Sequence, residues 1–484
     1  MRLNLIFRRI IADKFISSFA VSLAFLFLLY FNINNKTLMI LAAGLIIGLY
    51  AVYRNFETAL FHGYLLLLPF IKGKGITFPL IPAELVYQQI PFNLTVNFTV
   101  SDLMLAVMMF IYIRKILLFK SGHTGPSINP VGILMYILLI CLFIASYLSK
   151  IPLLSFLLTF PVFGYIFTFF YVKKQKQADI FRILFCCLSA LFIFEGVWSG
   201  MQFIGRSPLG KPIESIIDES TNKDWAHTAV EDYTYFRAQG TFSHPNYLGI
   251  FIAAFMPLVI YPALVAKWPT GLVFASVTGF SAGLIALIVS GSRTSWIGLA
   301  ISVAAEIWFL KQNILFKPNA FFLRIVRYSV ILFLLILPVL IIPRLSQFST
   351  TVLSGGGVDF RISLLKNSLT MISNNPLGVG LGMYPYILFH EIGGFTSYPT
   401  EPHNLLTQIS VSGGLIAGIS FILLIYISIR KYLTKQFFKN IRITENYILI
   451  ISLSAFLFIS GFYPVLTEQP VIGFFWIILG AVDS

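Results

Sequence analysis

Residues 355–414 read GGGVDFRISLLKNSLTMISNNPLGVGLGMYPYILFHEIGGFTSYPTEPHNLLTQISVSGG, the longest run in which this chain stops being apolar. The run holds His390 and His403, a single arginine, Arg361, and a glycine cluster behind an Asn375-Pro376 turn. Long apolar segments flank it on both sides. Apolar segments of that length are membrane spans, so the polar run between them is a loop outside the bilayer.

The composition agrees. The chain is 57% hydrophobic and 11% charged, whereas a soluble domain has about a quarter of its residues charged. Apolar runs of about 17–22 residues suit helices and not barrel strands. The expected fold is an all-α polytopic membrane protein with about 12–14 transmembrane helices and a large extracytoplasmic loop containing surface helices. A net charge of +15 does not point to nucleic acid, because the basic residues punctuate the gaps between apolar runs and form no single patch. Cys141, Cys186 and Cys187 all fall inside apolar runs and read as small buried hydrophobes. The basic amino-terminal stretch MRLNLIFRRIIADKF leads into a first span and is not followed by a small-residue cleavage site.

Spans are expected at 15–31, 38–53, 58–71, 100–118, 131–149, 152–172, 181–204, 247–266, 271–290, 294–310, 327–343, 404–429, 446–463 and 470–482. With the amino terminus inside, alternate short gaps hold most of the 34 lysines and arginines, among them Arg8, Arg9, Arg114, Lys115, Lys173, Lys174, Arg430 and Lys431. Positive charge in short loops marks the cytoplasmic side. Both termini are then cytoplasmic, in the cytoplasmic membrane. The chain divides into an N-terminal bundle (1–204), a first large outer loop (205–246), central spans (247–343), a second large outer loop (344–403) and C-terminal spans (404–484).

Four features at the outer face carry chemistry. Arg237 opens the stretch Arg237-Ala238-Gln239-Gly240-Thr241-Phe242-Ser243-His244-Pro245-Asn246 and stands at a span entrance. It could bind a lipid-linked phosphate or merely reach lipid headgroups. Arg293 lies in the near-loopless hairpin Gly291-Ser292-Arg293-Thr294-Ser295, with Glu195 an alternative intramembrane partner. Arg361 opens a helix whose apolar Ile362, Leu365, Leu369 and Ile372 share one face, as in a helix lying apolar side down on a membrane. Gly378, Gly380 and Gly382 then permit a tight turn. Glu401-Pro402-His403-Asn404 re-enters the membrane; His403 is suited to proton transfer, or is a hydrogen-bonded interfacial residue. Together, three arginines and a histidine on one side form a set able to hold a diphosphate and move a proton. The acidic pairs Asp218-Glu219 and Glu231-Asp232 read as solvated, and no metal site is expected.

RAQGTFSHPN with its following span, GSRTSW, the Arg361 helix with NPLGVGLG, and PHNLLTQISVSGGLIAG resemble the motifs of the O-antigen ligase and O-antigen polymerase superfamily of bacterial membrane glycosyltransferases. NFTVSDLMLAVMMF also resembles an earlier span of that family. The resemblance implies a GT-C-like architecture. It implies transfer of a glycan from an undecaprenyl-diphosphate-linked oligosaccharide donor to the hydroxyl of a glycan, lipid or wall-polymer acceptor, with inversion and with no cofactor or metal. It gives Arg237 and Arg293 to the diphosphate, Arg361 to the loop arginine's role and His403 to the general base. His244, Asn246 and Asn404 are secondary members of the motifs. Membrane lipids are expected partners, and a chain-length regulator is compatible with this reading. The alternative is a flippase or transporter using the same arginines to attract an anionic substrate, which would need polar residues near the bilayer midplane.

Overall fold

The computed structural model describes residues 13–29, 35–70, 73–81, 92–118, 130–210, 214, 227–230, 233–265, 268–312, 318, 323–324, 358–392, 401–436, 445–466 and 468–483. Helices α1 (Lys14–Leu28), α2 (Asn35–Tyr53) and α3 (Phe56–Leu67) open the chain. Strands β1 (Gly73–Ile81) and β2 (Phe92–Thr99) follow, then α4 (Val100–Leu118), α5 (Pro130–Leu148), α6 (Pro152–Lys173) and α7 (Gln177–Gly205). Strands β3 (His227–Val230) and β4 (Tyr233–Phe236) precede α8 (Pro245–Leu264), α9 (Thr270–Ser290) and α10 (Arg293–Gln312). The stretch before residue 403 carries α11 (Val358–Asn374) and the short α12 (Tyr384–Ile387), which runs on as a π-helical turn at Leu388–Ile392. The chain ends with α13 (Leu405–Gly413), α14 (Leu415–Gln436), α15 (Glu445–Ser460) and α16 (Gln469–Asp483).

Among the described residues six helices, α5 to α10, are long and apolar enough to cross a membrane, and shorter apolar helices accompany them. The helical expectation holds, with one amendment. Two antiparallel hairpins, β1–β2 and β3–β4, stand in stretches expected to be plain loop. The expected span 327–343, the acidic pairs Asp218-Glu219 and Glu231-Asp232, and the basic residues before Asp13 lie outside the described residues.

A second difference concerns 404–429, which is two helices and not one span. The break is Gly414, at φ +86°, where an added Cβ would stand 2.4 Å from the Pro376 carbonyl oxygen. The Pro376–Gly380 turn docks there: Val379 N–H donates to Val411 O at 2.9 Å, Gly380 N–H to Ser412 O at 3.0 Å and Leu415 N–H to Pro376 O at 3.0 Å. Gly378 faces the same junction at φ +89°, and a Cβ added to it would fall 2.5 Å from Gly414 N. Only glycine lets the two backbones approach so closely.

Helix α8 is the axis of the bundle, buried along nearly its whole length and packed on α9, α10 and α15. Helices α7 and α9 cross through small residues. A Cβ on Gly196 would lie 2.3 Å from Ala282 O, and one on Gly279 would lie 3.1 Å from Ser189 Cα. In lipid, where apolar burial gives little drive between helices, such backbone proximity and its dispersion contacts hold the pair. Cys186 and Cys187 are buried in this core as free thiols, and Cys141 is half-buried.

Ion pairs show which helix ends share a face. Lys173 pairs with Asp483, Lys14 with Asp179 at 3.8 Å and Lys115 with Glu57 at 2.5 Å. These ends belong to the set read as cytoplasmic from the basic gaps. Elsewhere Lys150, in the α5–α6 connection, meets Glu391 in the turn after α12 at 3.0 Å. The segment 358–392 has a small apolar core of its own, in which Leu364, Met371, Met383, Tyr384 and Leu388 close on Leu154 of α6 and Val411 of α13. Of the face of α11 expected to meet lipid, Ile362, Leu365 and Leu369 are 45%, 45% and 56% exposed, whereas Ile372 is half-buried against that core.

Candidate active site

The site starts at the end of β4. Phe236 and Ala238 are buried against Val289, and Ala238 N–H donates to the Val289 carbonyl at 3.1 Å. Pinned on both sides, Arg237 is half-buried. Its Nε donates to the Ser290 carbonyl at 2.9 Å and its Nη2 to Asn246 Oδ1 at 2.5 Å. The reading of Arg237 as a residue merely reaching for headgroups does not describe this geometry, because its guanidinium is aimed by two fixed acceptors.

The following turn is held just as firmly. Gly240, at φ +64°, gives its N–H to Gln202 Oε1 at 2.8 Å and takes Gln202 Nε2 on its carbonyl at 2.9 Å. Thr241 donates its N–H to Glu195 Oε2 at 3.0 Å and its hydroxyl to Glu195 Oε1. A Cβ on Gly240 would fall 2.1 Å from that carboxylate. Glu195 is therefore engaged by the turn and is not the partner of Arg293. Among the described residues Arg293 forms no ion pair, and it stands exposed in the first turn of α10. The α9–α10 link is the expected tight hairpin, turned at Gly291 with φ +61°.

His244 is the N-cap of α8, its Nδ1 accepting the Asn246 N–H at 3.0 Å. Asn246 thus serves both the helix start and Arg237. Asn404 N-caps α13, taking Leu406 N–H at 2.9 Å and Thr407 N–H at 3.2 Å, while its Nδ2 donates to Gly461 O at 3.0 Å. An N-cap fixes the direction in which the chain enters its helix, so each cap also orients its neighbour.

Arg361, in the first turn of α11, places its guanidinium 5.7 Å from the centroid of the Tyr463 ring, within cation–π range. It also faces His403. Burial first, then the Arg361 charge, lower the His403 pKa to about 4, against a hydrogen bond to the Phe462 backbone that favours the charged form. His244 is lowered to about 3, by burial and then by the charges of Arg237 and His403. Both imidazoles are neutral at pH 7. Arg361 thus acts on His403, and Arg237 acts on His244. Arg293 borders these residues through Thr294, whose Oγ1 accepts from Tyr463 Oη at 3.5 Å, and through Ser290.

Part of the chain is similar to O-antigen ligase. The family model for O-antigen ligase matches residues 278–422, from within α9 to within α14. The matched stretch contains Arg293, Arg361, His403 and Asn404, while Arg237, His244 and Asn246 precede it. No curated protein matches the chain. An O-antigen ligase domain implies a glycan-transferring enzyme and, in general terms, lipid-linked glycan substrates. The chain is accordingly a multi-pass membrane protein with a glycan-transfer domain.

Sequence reasoning alone assigns no role to three residues beside the ligase-domain motifs. Glu401, two residues before His403, is held up at about 7 by burial. Glu468 is 7% exposed and accepts from Ser243 Oγ at 2.8 Å on each carboxylate oxygen. Burial raises its pKa to about 7, and the Ser243 hydrogen bonds oppose the rise. Tyr463 lies under Arg361. A usable signal for Glu468 is nonetheless present: one of only 19 acidic residues, it stands in the sequence Glu468-Gln469-Pro470 at the start of an apolar run.

Proposed function

We propose that this protein transfers or polymerises an undecaprenyl-diphosphate-linked glycan onto an acceptor hydroxyl at the outer face of the cytoplasmic membrane, by an inverting, metal-independent displacement. The observation that carries the reading is the fixed guanidinium of Arg237, held on Ser290 and Asn246, together with Arg361 packed over Tyr463, whose hydroxyl meets Thr294 beside Arg293.

In this reading the diphosphate lies against Arg237 and Arg293. Arginine presents several donors in a rigid plane and stays charged at any working pH, so it can bind phosphate oxygens through two parallel hydrogen bonds. Arg237 is held before substrate arrives, so little reorganisation is needed as negative charge develops on the departing diphosphate. The exposed guanidinium of Arg293 is accessible to the same anion. His403, neutral at pH 7, takes the acceptor hydroxyl's proton as that oxygen attacks the anomeric carbon and the bond to the diphosphate breaks. Arg361 orients donor or acceptor over His403. The exposed Ile362, Leu365 and Leu369 of α11 support a seat for that segment on lipid at the membrane surface.

The test supplies purified protein with a lipid-linked oligosaccharide donor and an acceptor in the presence of EDTA. Extended or transferred glycan, with undecaprenyl diphosphate released in equal amount, is expected. Strict dependence on added divalent metal would sink the mechanism. Movement of intact lipid-linked donor across a vesicle membrane with no new glycosidic bond would favour the flippase reading.

A further inference from the structure

The four motif stretches have one neighbour in common, and it lies outside all of them. This is the connection between α15 and α16, residues 461–466 and 468. Asn404 Nδ2 donates to Gly461 O at 3.0 Å. His403 hydrogen-bonds the Phe462 backbone. Arg361 covers the Tyr463 ring, whose hydroxyl reaches Thr294 at 3.5 Å. Tyr247 Oη donates to Pro464 O at 2.9 Å, and Leu466 N–H donates to Gln408 Oε1 at 2.9 Å. Glu468 takes both contacts from Ser243. The connection is fixed in turn by α16: Val471 and Ile472 N–H groups both close on the Glu468 carbonyl at 3.1 Å, and the buried Phe474, Phe475 and Trp476 anchor that helix in the core.

A buried carboxylate is costly unless hydrogen bonds or charge satisfy it. Among the described residues Glu468 meets this cost through Ser243, in the turn between Arg237 and Asn246. That turn is gripped from two directions by acids on different helices. Glu195 of α7 holds Thr241, and Glu468 at the head of α16 holds Ser243. Three residues further along, Asn246 holds the Arg237 guanidinium. Release of Ser243 therefore frees the segment that aims Arg237.

We infer that Glu468 and Ser243 form a positioning pair for Arg237, and that the α15–α16 connection is a component of the transfer site. The inference rests on the reading of Arg237 as the diphosphate ligand.

The test uses the full-length protein in lipid nanodiscs, with Glu468→Ala, Glu468→Gln, Ser243→Ala and the Glu468→Ala/Ser243→Ala double variant. Loss of a buried hydrogen-bonding partner is expected to lower kcat by about tenfold in each single alanine variant, with acceptor KM unchanged. The double variant is expected to be no worse than the singles, because both remove one shared interaction. Glu468→Gln keeps an acceptor oxygen for Ser243 and is expected to restore most of the rate. Amide hydrogen exchange is expected to quicken in 237–248 in Glu468→Ala and to stay unchanged in 404–413. Additive losses, a Gln variant as poor as Ala, or equal loosening of both segments would overturn the inference and make Glu468 general scaffolding. Ser243→Ala, which removes one hydroxyl, carries the same exchange prediction if Glu468→Ala does not fold. Absence of transfer by the wild type would overturn the functional reading alone, since the exchange measurement still decides whether Glu468 holds the turn.

Discussion

The two halves of the site are built differently. The Arg237 half is a turn clamped inside the bundle: its backbone is hydrogen-bonded to α7 and α9, and its side chain to Ser290 and Asn246. The Arg361 half is a surface helix with a small apolar core of its own, seated on α6 and α13, with its arginine exposed. A leaving group that develops charge in place is best served by donors that are already fixed. An acceptor that must enter between rounds is better served by an element with fewer anchors. On the proposed reading, one site would combine a rigid anion clamp and a lighter cover by drawing them from different parts of the chain.

The contrast can be broken or sharpened by four substitutions. The largest effect is expected at the base. His403→Ala is expected to lower transfer about a hundredfold to ten-thousandfold while donor binding persists, as lost general-base catalysis does. Undiminished transfer by the purified variant would remove His403 from the mechanism. Next comes the clamp. Arg237→Lys is expected to lose about a hundredfold in kcat, because an ammonium cannot reproduce the paired contacts of the guanidinium. A lysine variant at wild-type rate would show that charge alone matters and that the fixed geometry is incidental.

A third test separates the halves by pH. The His403 pKa is lowered to about 4 by burial and then by Arg361. The base is neutral above that value, so the acid limb of the rate profile is expected near pH 4. Arg361→Ala removes one of the two causes and is expected to move that limb upward, toward the ordinary histidine value of about 6.5. Arg237→Lys is expected to leave it in place, since Arg237 acts on His244. An unmoved limb in Arg361→Ala would separate Arg361 from His403. The smallest effect is expected at Lys150–Glu391, whose side chains are 59% and 41% exposed. A surface pair of this kind contributes about 0–1 kcal/mol, so Lys150→Ala is expected to change rate and melting temperature little. A large loss of transfer there would mean that the cover depends on this latch.

Stability offers an independent reading of the buried acids. Glu401 and Glu468 have folded pKa values raised to about 7. The stability they contribute is fully present below the unfolded carboxyl range and is lost as pH rises through about 7. His403 and His244 are lowered, so they oppose folding as pH falls below about 6.5.

The amino-acid sequence by itself determined the helical membrane class, the grouping of basic helix ends on one face, the tight α9–α10 hairpin and the glycine turn at 378–382. These follow from apolar run length, charge placement and the φ > 0 tolerance of glycine, all of which act over a few residues or along one helix. It also named the cations and histidines, because a charged side chain at a span end is conspicuous in so apolar a chain. Only the tertiary structure decided their partners. Glu195 holds Thr241 and not Arg293; Glu468 reaches across 225 positions to Ser243; Gly414 breaks an apolar run that pattern alone reads as one span. The physical reason is that a hydrogen bond is satisfied in space: α16, the last helix, carries its carboxylate to the turn before α8, a pairing on which periodicity and local propensity are silent.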